Sequence, residues 1–282
     1  MRFMRLLAAL FAVTLLAAAC GDDDSGSTDA TGQPEPAEED EGPVRTIEAP
    51  SAAITVDGDA ADWADITGLD LTLEPISDED ASPHDAVLKV AHDDENVYVL
   101  LQVDDDFNYN PENGHKSGAA AVEWAIESGA GEHMGAEDED RDTSLGMVDI
   151  WHWELECAAG TEAGGAVNDA GNGDPGNDAG CNLDDEWATV PENREDDNGD
   201  GAENSILGVY SHSAAQEDAD GTWTFEFSRP LQTGDSQDAQ FTVGQDAKMA
   251  VAYWDPDETP EGWEDDLHVQ SANQGWIVVE FA

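Results

Sequence analysis

From about residue 50 to the C-terminus, apolar residues come in short runs divided by polar, turn-rich stretches. The runs predict strands over 53–56, 86–91, 97–103, 120–126, 148–155, 222–227, 249–254 and 276–281. Within Thr222-Trp223-Thr224-Phe225-Glu226-Phe227 the three aromatics share one face, and Thr and Glu share the other. Asp93-Asp94-Glu95-Asn96 falls between two such runs and reads as a hairpin loop. No long segment repeats with the helical period. The pattern predicts an all-β fold over 50–282, an antiparallel β-sandwich of immunoglobulin-like kind with long acidic loops. Residues 157–205, rich in Gly, Asn and Asp, read as a loop insertion in that sandwich.

The first residues follow a different pattern. Arg2 and Arg5 precede an apolar run from Leu6 to Ala19, shorter than the roughly 20 residues of a membrane span. Basic head, apolar middle and small residues describe a secretory signal over 1–19. The sequence Leu16-Ala17-Ala18-Ala19-Cys20-Gly21 resembles a lipobox, which makes Cys20 a lipidation site. The expected localisation is therefore exported, lipid-anchored to the bacterial cell membrane on its extracytoplasmic side. Residues 20–49 contain almost nothing apolar and read as a disordered acidic linker. In an oxidising compartment Cys157 and Cys181 are expected to pair in a disulfide, closing a loop of about 24 residues worth roughly 3 kcal/mol.

Charge narrows the function. The 282 residues hold 66 Asp and Glu against 9 Lys and Arg, a net charge of −57. Two of the nine cations, Arg2 and Arg5, fall in the leader. Nucleic-acid binding needs a basic face and is excluded. Nine Trp and 39% apolar residues suffice for one core, so the chain is not a wholly disordered acidic polymer. There is no Cys-x-x-Cys-His for covalent haem, no His-Glu-x-x-His, no Gly-x-Ser-x-Gly and no Walker loop. Asp196-Asp197-Asn198-Gly199-Asp200-Gly201 resembles the start of a calcium loop, but its twelfth position is Leu207 where a bidentate Glu is needed. Calcium and a solvated acidic loop both stand as readings.

Two short segments carry candidate redox chemistry. His133-Met134-Gly135 precedes the aromatic run Val148-Asp149-Ile150-Trp151-His152-Trp153, and Leu267-His268-Val269-Gln270-Ser271 precedes the last strand. A thioether and a neutral imidazole converging from two loops would ligate a haem iron axially. Met147 is a rival to Met134. Trp151 and Trp254 are candidates for the walls of such a pocket, or for core. Arg229 and Lys248 are the candidate partners for haem propionates.

These features resemble, in order, the haem-binding γ subunits of ethylbenzene dehydrogenase and dimethylsulfide dehydrogenase, a β-sandwich family related to family 9 carbohydrate-binding modules. Ile54-Thr55-Val56-Asp57-Gly58 with Asp62-Trp63 resembles the first strand of that superfamily. Met134-Gly135, the run from Val148 to Trp153, and Ala250-Val251-Ala252-Tyr253-Trp254-Asp255 are similar to segments of its haem branch. The resemblance spans roughly 52–281. It implies a non-covalent haem b held by Met and Lys, with Met134 as the Met. His268 occupies the place of the Lys, which implies either a Met/His haem or loss of haem. The implied partners are a redox protein, either a molybdenum-dependent oxidoreductase subunit or a cytochrome, and a membrane reached through the lipid. Two other readings remain: a carbohydrate-binding surface lipoprotein with exposed tryptophans as a stacking platform, and a calcium-stabilised structural lipoprotein.

Overall fold

The computed structural model describes residues 44–76, 82–110, 113–136, 141–154, 167–168, 182–196, 205–214, 216, 218–263 and 268–282. Among them fourteen strands form: β1 (Arg45–Ala49), β2 (Leu69–Pro75), β3 (His84–His92), β4 (Asn96–Asp106), β5 (Ala119–Ala125), β6 (Val148–Glu154), β7 (Val167–Asn168), β8 (Asn182–Ala188), β9 (Glu195–Asp196), β10 (Leu207–His212), β11 (Asp220–Pro230), β12 (Asp246–Trp254), β13 (Val269–Gln270) and β14 (Ile277–Phe281). The only helical pieces described are short 3-10 turns. One layer runs β7-β10-β11-β4-β3-β2 and the other β13-β12-β5-β6-β8-β9, with β14 on β12 and β1 on β14. The pair β2–β13 joins the layers along one side. Every pairing is antiparallel except β1 with β14. The result is a nearly closed antiparallel β-sandwich.

The period-2 pattern explains which side chains fill it. Trp223, Phe225 and Phe227 of β11 enter the space between the layers and meet Trp151, Trp153 and Trp124 from β6 and β5. Trp151 and Phe227 ring centres lie 6.4 Å apart, and Trp124 meets Phe241 edge-on at 4.7 Å. The opposite face of β11 is not bare to water. Glu226 is buried, accepting from Trp63 Nε1 at 2.6 Å and from the amides of Asp57 and Gly58 at 3.0 and 2.7 Å. Residues 52–66 therefore form an irregular strap over Ala91, Tyr98 and Leu100. The strand predicted over 53–56 does not form; Thr55 N–H donates to the Asp62 side chain at 3.1 Å in place of a strand partner.

Two boundaries need correction. The sandwich starts at Arg45, inside the stretch read as linker, because Ile47 and Ala49 bury against the core once β1 lies parallel to β14. The stretch 157–205 is not all insertion: β8 pairs with β6 over seven residues and belongs to the sheet. The leader, Cys20, Cys157 and Cys181 lie outside the described residues, as do residues 197–204 of the calcium-like loop. No helix among the described residues is long and apolar enough to cross a membrane.

A buried charge cluster joins the two layers. Arg229 of β11 has no solvent exposure, and Asp149 of β6, Asp185 of β8 and Asp238 all approach it. Nη1 donates to the three carboxylates at 3.0, 3.2 and 3.2 Å. Nη2 donates to Asp149 and, at 3.0 Å, to the carbonyl of Ala239. The guanidinium carbon lies 5.0 Å over the Trp151 ring. Burial alone would make Arg229 give up its proton more easily, but the three carboxylates outweigh it and hold it more firmly charged than usual. For Asp238 burial wins over Arg229, and its carboxyl is pushed up to about 6.

Two outcomes follow from this cluster. Arg229→Met leaves buried carboxylates without their cation, and urea unfolding should show a loss of about 3–5 kcal/mol. A loss under about 1 kcal/mol, the scale of an exposed pair, would contradict it. The second concerns pH. Asp238 binds its proton more tightly folded (about 6) than at its ordinary 3.8, so its contribution is full below 3.8 and fades as pH rises through 6. Thermal melts should therefore show greater stability near pH 5 than near pH 8, and Asp238→Asn should flatten that dependence. An unchanged slope in Asp238→Asn would remove Asp238 as its source.

Candidate functional site

The outer face of the β5–β6–β12 sheet carries the site, and alternation makes it. Residues 119 and 121 of β5 and 250 and 252 of β12 face away from the sandwich core, and all four are alanine. Cross-strand register sets Ala121 between His152 of β6 and Ala252 of β12, and Ala252 opposite Gln270 of β13. Directly opposed residues share a face. The sheet thus offers a flat, small-residue floor flanked by an imidazole on one side and an amide on the other.

Residues from four inter-strand segments roof this floor and leave a cavity of about 450 Å³. That volume falls within the roughly 300–1,000 Å³ of small-molecule and cofactor sites. Met134, His268, Trp254 and Trp263 line it, together with His133 and His152. The thioether and the imidazole singled out from the sequence therefore face the same space, and Trp254 joins them. Trp151 does not: its odd-numbered position on β6 directs it into the core, where it is fully buried against Trp124 and Phe227. His152, its even-numbered neighbour, faces the cavity in its place.

Each wall has a local cause. His133 O accepts from Ala136 N–H at 3.1 Å, closing a tight turn whose central residues, Met134 and Gly135, both have positive φ, 53° and 83°. A methionine there costs of order 1–3 kcal/mol of strain, so the surroundings must hold it. A Cβ on Gly135 would lie 2.3 Å from the carbonyl oxygen of Gly146, which only glycine avoids. His268 sits 4.7 Å from Trp254, ring centre to ring centre, and Nε2 lies 3.3 Å from Gln270 Oε1. Gln270 Nε2 reaches His133 Nδ1 at 3.3 Å and donates to Asn273 at 2.6 Å, so one amide links both imidazoles. Trp263 is clamped by His115, stacked at 4.1 Å, and its Nε1 donates to Ser117 O at 2.9 Å.

The cations of the site were not the predicted ones. Arg229 is consumed inside the core and cannot reach a ligand, and Lys248 donates to Ser128 O at 3.2 Å away from the lining. Arg141 and Arg194 line the cavity instead. Arg141 donates to Ile76 O at 3.3 Å, and Arg194 Nε lies 3.2 Å from Glu186. Both come from segments that read as acidic loop, where nothing in the local pattern marks an arginine as site-facing. Met147, the rival thioether, is not part of the lining. Glu123 also lines the cavity, and burial, with Glu132 adding to it, pushes its carboxyl well above the usual range.

Carboxylates gather near the site and beyond it. His152, Asp184 and Glu186 bring ligand atoms within 4.8 Å of one another, as do His84, Asp105 and Asp255 at the end of β3, β4 and β12. In the second group burial and Asp255 push Asp105 up to about 6. None of the nine tryptophans is exposed. Trp187 and Trp276 are half-buried, and Trp254 and Trp263 turn to the cavity.

Residues 60–265 match the family model described as Ethylbenzene dehydrogenase. A search of curated proteins found no match. Among solved structures, a proposed carbohydrate-binding protein from Bacteroides uniformis ATCC 8492 shares 10% identity at a TM-score of 0.49, covering 84% of this chain and 99% of its own. A family 9 carbohydrate-binding module from Caldicellulosiruptor kristjanssonii in complex with glucose shares 12% identity at a TM-score of 0.44, covering 84% and 97%. The module from that organism in complex with cellotriose shares 11% at 0.45, covering 84% and 95%.

The roof of the cavity can be tested directly. Gly262 has φ of +106°, and a Cβ there would lie 1.9 Å from His115 O. Gly262→Ala should undock Trp263, costing about 1–3 kcal/mol in denaturant unfolding and shifting tryptophan emission to the red. Unchanged emission would mean that the clamp is not formed.

Proposed function

The chain belongs to the ethylbenzene dehydrogenase family, and from that membership and the donors around its cavity we propose that it is a haem b electron-transfer protein. The carrying observation is that Met134 and His268, 134 residues apart in sequence, line one cavity with a flat alanine floor and two arginines. The donor set fits the group: soft sulfur and imidazole for iron, indoles and alanines for a flat apolar ring, guanidinium groups for carboxylates.

Bound there, haem b supplies one-electron transfer between ferrous and ferric iron. Met134 and His268 would hold the iron, His268 standing where the family resemblance implies a Lys. A thioether and an imidazole supplied together by the protein suit electron transfer better than catalysis. Trp254 and Trp263 would shield the ring from water. Arg141 and Arg194 would take the propionates, the role first assigned to Arg229 and Lys248. Gln270 orients His268 through its side-chain amide, the usual way a metal-ligating imidazole is set.

The partner in this proposal is a redox protein with a basic face, drawn by the charge of −57. By family resemblance it is a molybdenum-dependent oxidoreductase subunit, with a cytochrome as the other candidate. The proposal keeps the protein exported and anchored through Cys20, so that electrons pass at the membrane surface.

Protein reconstituted with haemin should show a strong Soret band and, on reduction, sharp α and β bands. Met134→Ala and His268→Ala should each remove the low-spin spectrum. Ala252→Leu fills the floor and should abolish haem uptake while changing stability by less than about 1.5 kcal/mol. A flat spectrum for the wild type overturns the proposal. Quenching of tryptophan emission by cello-oligosaccharide in that same protein would assign the cavity to sugar.

A further inference from the structure

We propose that His84, Asp105 and Asp255 bind a divalent transition-metal cation, Zn²⁺ by ligand type, which clamps the two layers of the sandwich at one end. None of the three lines the cavity described above, so the site does not depend on what that cavity holds.

Alternation brings the three together. Ala86, Leu88 and Val90 of β3, Val99, Leu101 and Val103 of β4, and Met249, Val251 and Tyr253 of β12 fill the core. The same phase carried to the strand ends gives His84, Asp105 and Asp255. The β3–β4 register, which pairs Ala86 with Val103, continues to His84 opposite Asp105. β3 and β4 belong to one layer and β12 to the other. Three polar side chains from two layers thus meet at the rim of an apolar core, with ligand atoms within 4.8 Å of one another.

The imidazole is poised as a ligand. The His84 side chain is only 10% exposed. Its Nδ1 lies 3.4 Å from Asp104 O. A carbonyl only accepts, so Nδ1 carries the hydrogen, and in the neutral ring the lone pair sits on Nε2. Nε2 is sealed from solvent, makes no hydrogen bond, and lies 3.3 Å from Asp255 Oδ2. A lone pair facing a carboxylate is repelled unless positive charge stands between them. Two ligands of a tetrahedral Zn²⁺, each at about 2.0–2.1 Å from the metal, lie about 3.3 Å apart.

The carboxylates are oriented from behind. Tyr253 O–H donates to Asp105 Oδ2 at 2.6 Å, and Asp106 N–H to Asp105 Oδ1 at 2.9 Å. Asp257 N–H donates to Asp255 Oδ1 at 2.8 Å, which leaves Oδ2 toward His84. Partners of this kind set metal ligands in other proteins. Glu258, whose N–H lies 3.4 Å from Asp255 O across one turn, has both carboxylate oxygens sealed from solvent without a hydrogen-bond partner among the described residues. Around Arg229 three carboxylates share a guanidinium; here, among the described residues, no Lys or Arg pairs with Asp105, Asp255 or Glu258. A proton on Nε2 balances one carboxylate, whereas a divalent cation balances two. One imidazole among carboxylate oxygens suits Zn²⁺ better than Ca²⁺ or Mg²⁺.

The test strips the full chain with EDTA and titrates it with Zn²⁺ in excess Ca²⁺ and Mg²⁺, which occupy exposed carboxylates. Wild type should bind one equivalent more than His84→Ala. Zn²⁺ should raise the melting temperature of wild type, and His84→Ala and Asp105→Asn should lose that rise. Tyr253→Phe keeps every ligand and should weaken the same equivalent about 10–100-fold. Nitrogen NMR of the His84 ring separates metal from proton: at constant pH, Zn²⁺ should shift Nε2. Equal stoichiometry and equal thermal shift in wild type and His84→Ala overturn the proposal, as does an Nε2 signal that Zn²⁺ leaves in place. Should His84→Ala fail to fold, Asp255→Asn, beyond the end of β12, is read by the same criteria.

Discussion

A single guanidinium between the layers orders this sandwich. Arg229 reaches from β11 to carboxylates on β6, β8 and the segment after β11, with no solvent exposure. Pairing of this kind adds little net stability over an apolar core, but it tolerates only one arrangement. A shift of β6 by one residue would send Asp149 to the outer face and bring His152 into the core. The interior ion cluster therefore decides which β6 side chains face the cavity, although no member of the cluster touches it.

The cavity itself exists because of what the outer face lacks. Where β5 and β12 would ordinarily carry polar side chains toward water, they carry alanine, and loops cover them. Tryptophans and histidines from those loops supply the bulk that the strands omit. A floor that is rigid and walls that are tethered to it suit a flat ligand. The tethers are specific: Trp263 is held by His115 and Ser117, and His268 by Gln270.

The acidity of the chain has structural consequences as well as electrostatic ones. Carboxylates crowd sites where burial and neighbouring acids push them toward the protonated form, as at Asp105, Asp238 and Glu258, raised to about 6, 6 and 7. Against that background, two arginines facing one cavity stand out. Their placement on the cavity wall is something that composition alone does not give.

Much of this was legible in one dimension. Short runs of β character located β3, β4, β5, β6, β11, β12 and β14 to within a few residues, because each of these strands buries at least one face and needs apolar residues to do so. Met134, His268 and Trp254 could be singled out from residue chemistry and family likeness. Short or polar strands stayed hidden: β1 lies in an acidic stretch, and β8 reads Asn-Leu-Asp-Asp-Glu-Trp-Ala, since its charges are neutralised by Arg229 and Arg194 rather than by water. The direction of Trp151 and the placement of Arg229 in the core but of Arg141 and Arg194 at the cavity were decided only in the tertiary structure. Each depends on which residues from distant segments meet, and that meeting is set by register and loop closure, neither of which leaves a local mark in the chain.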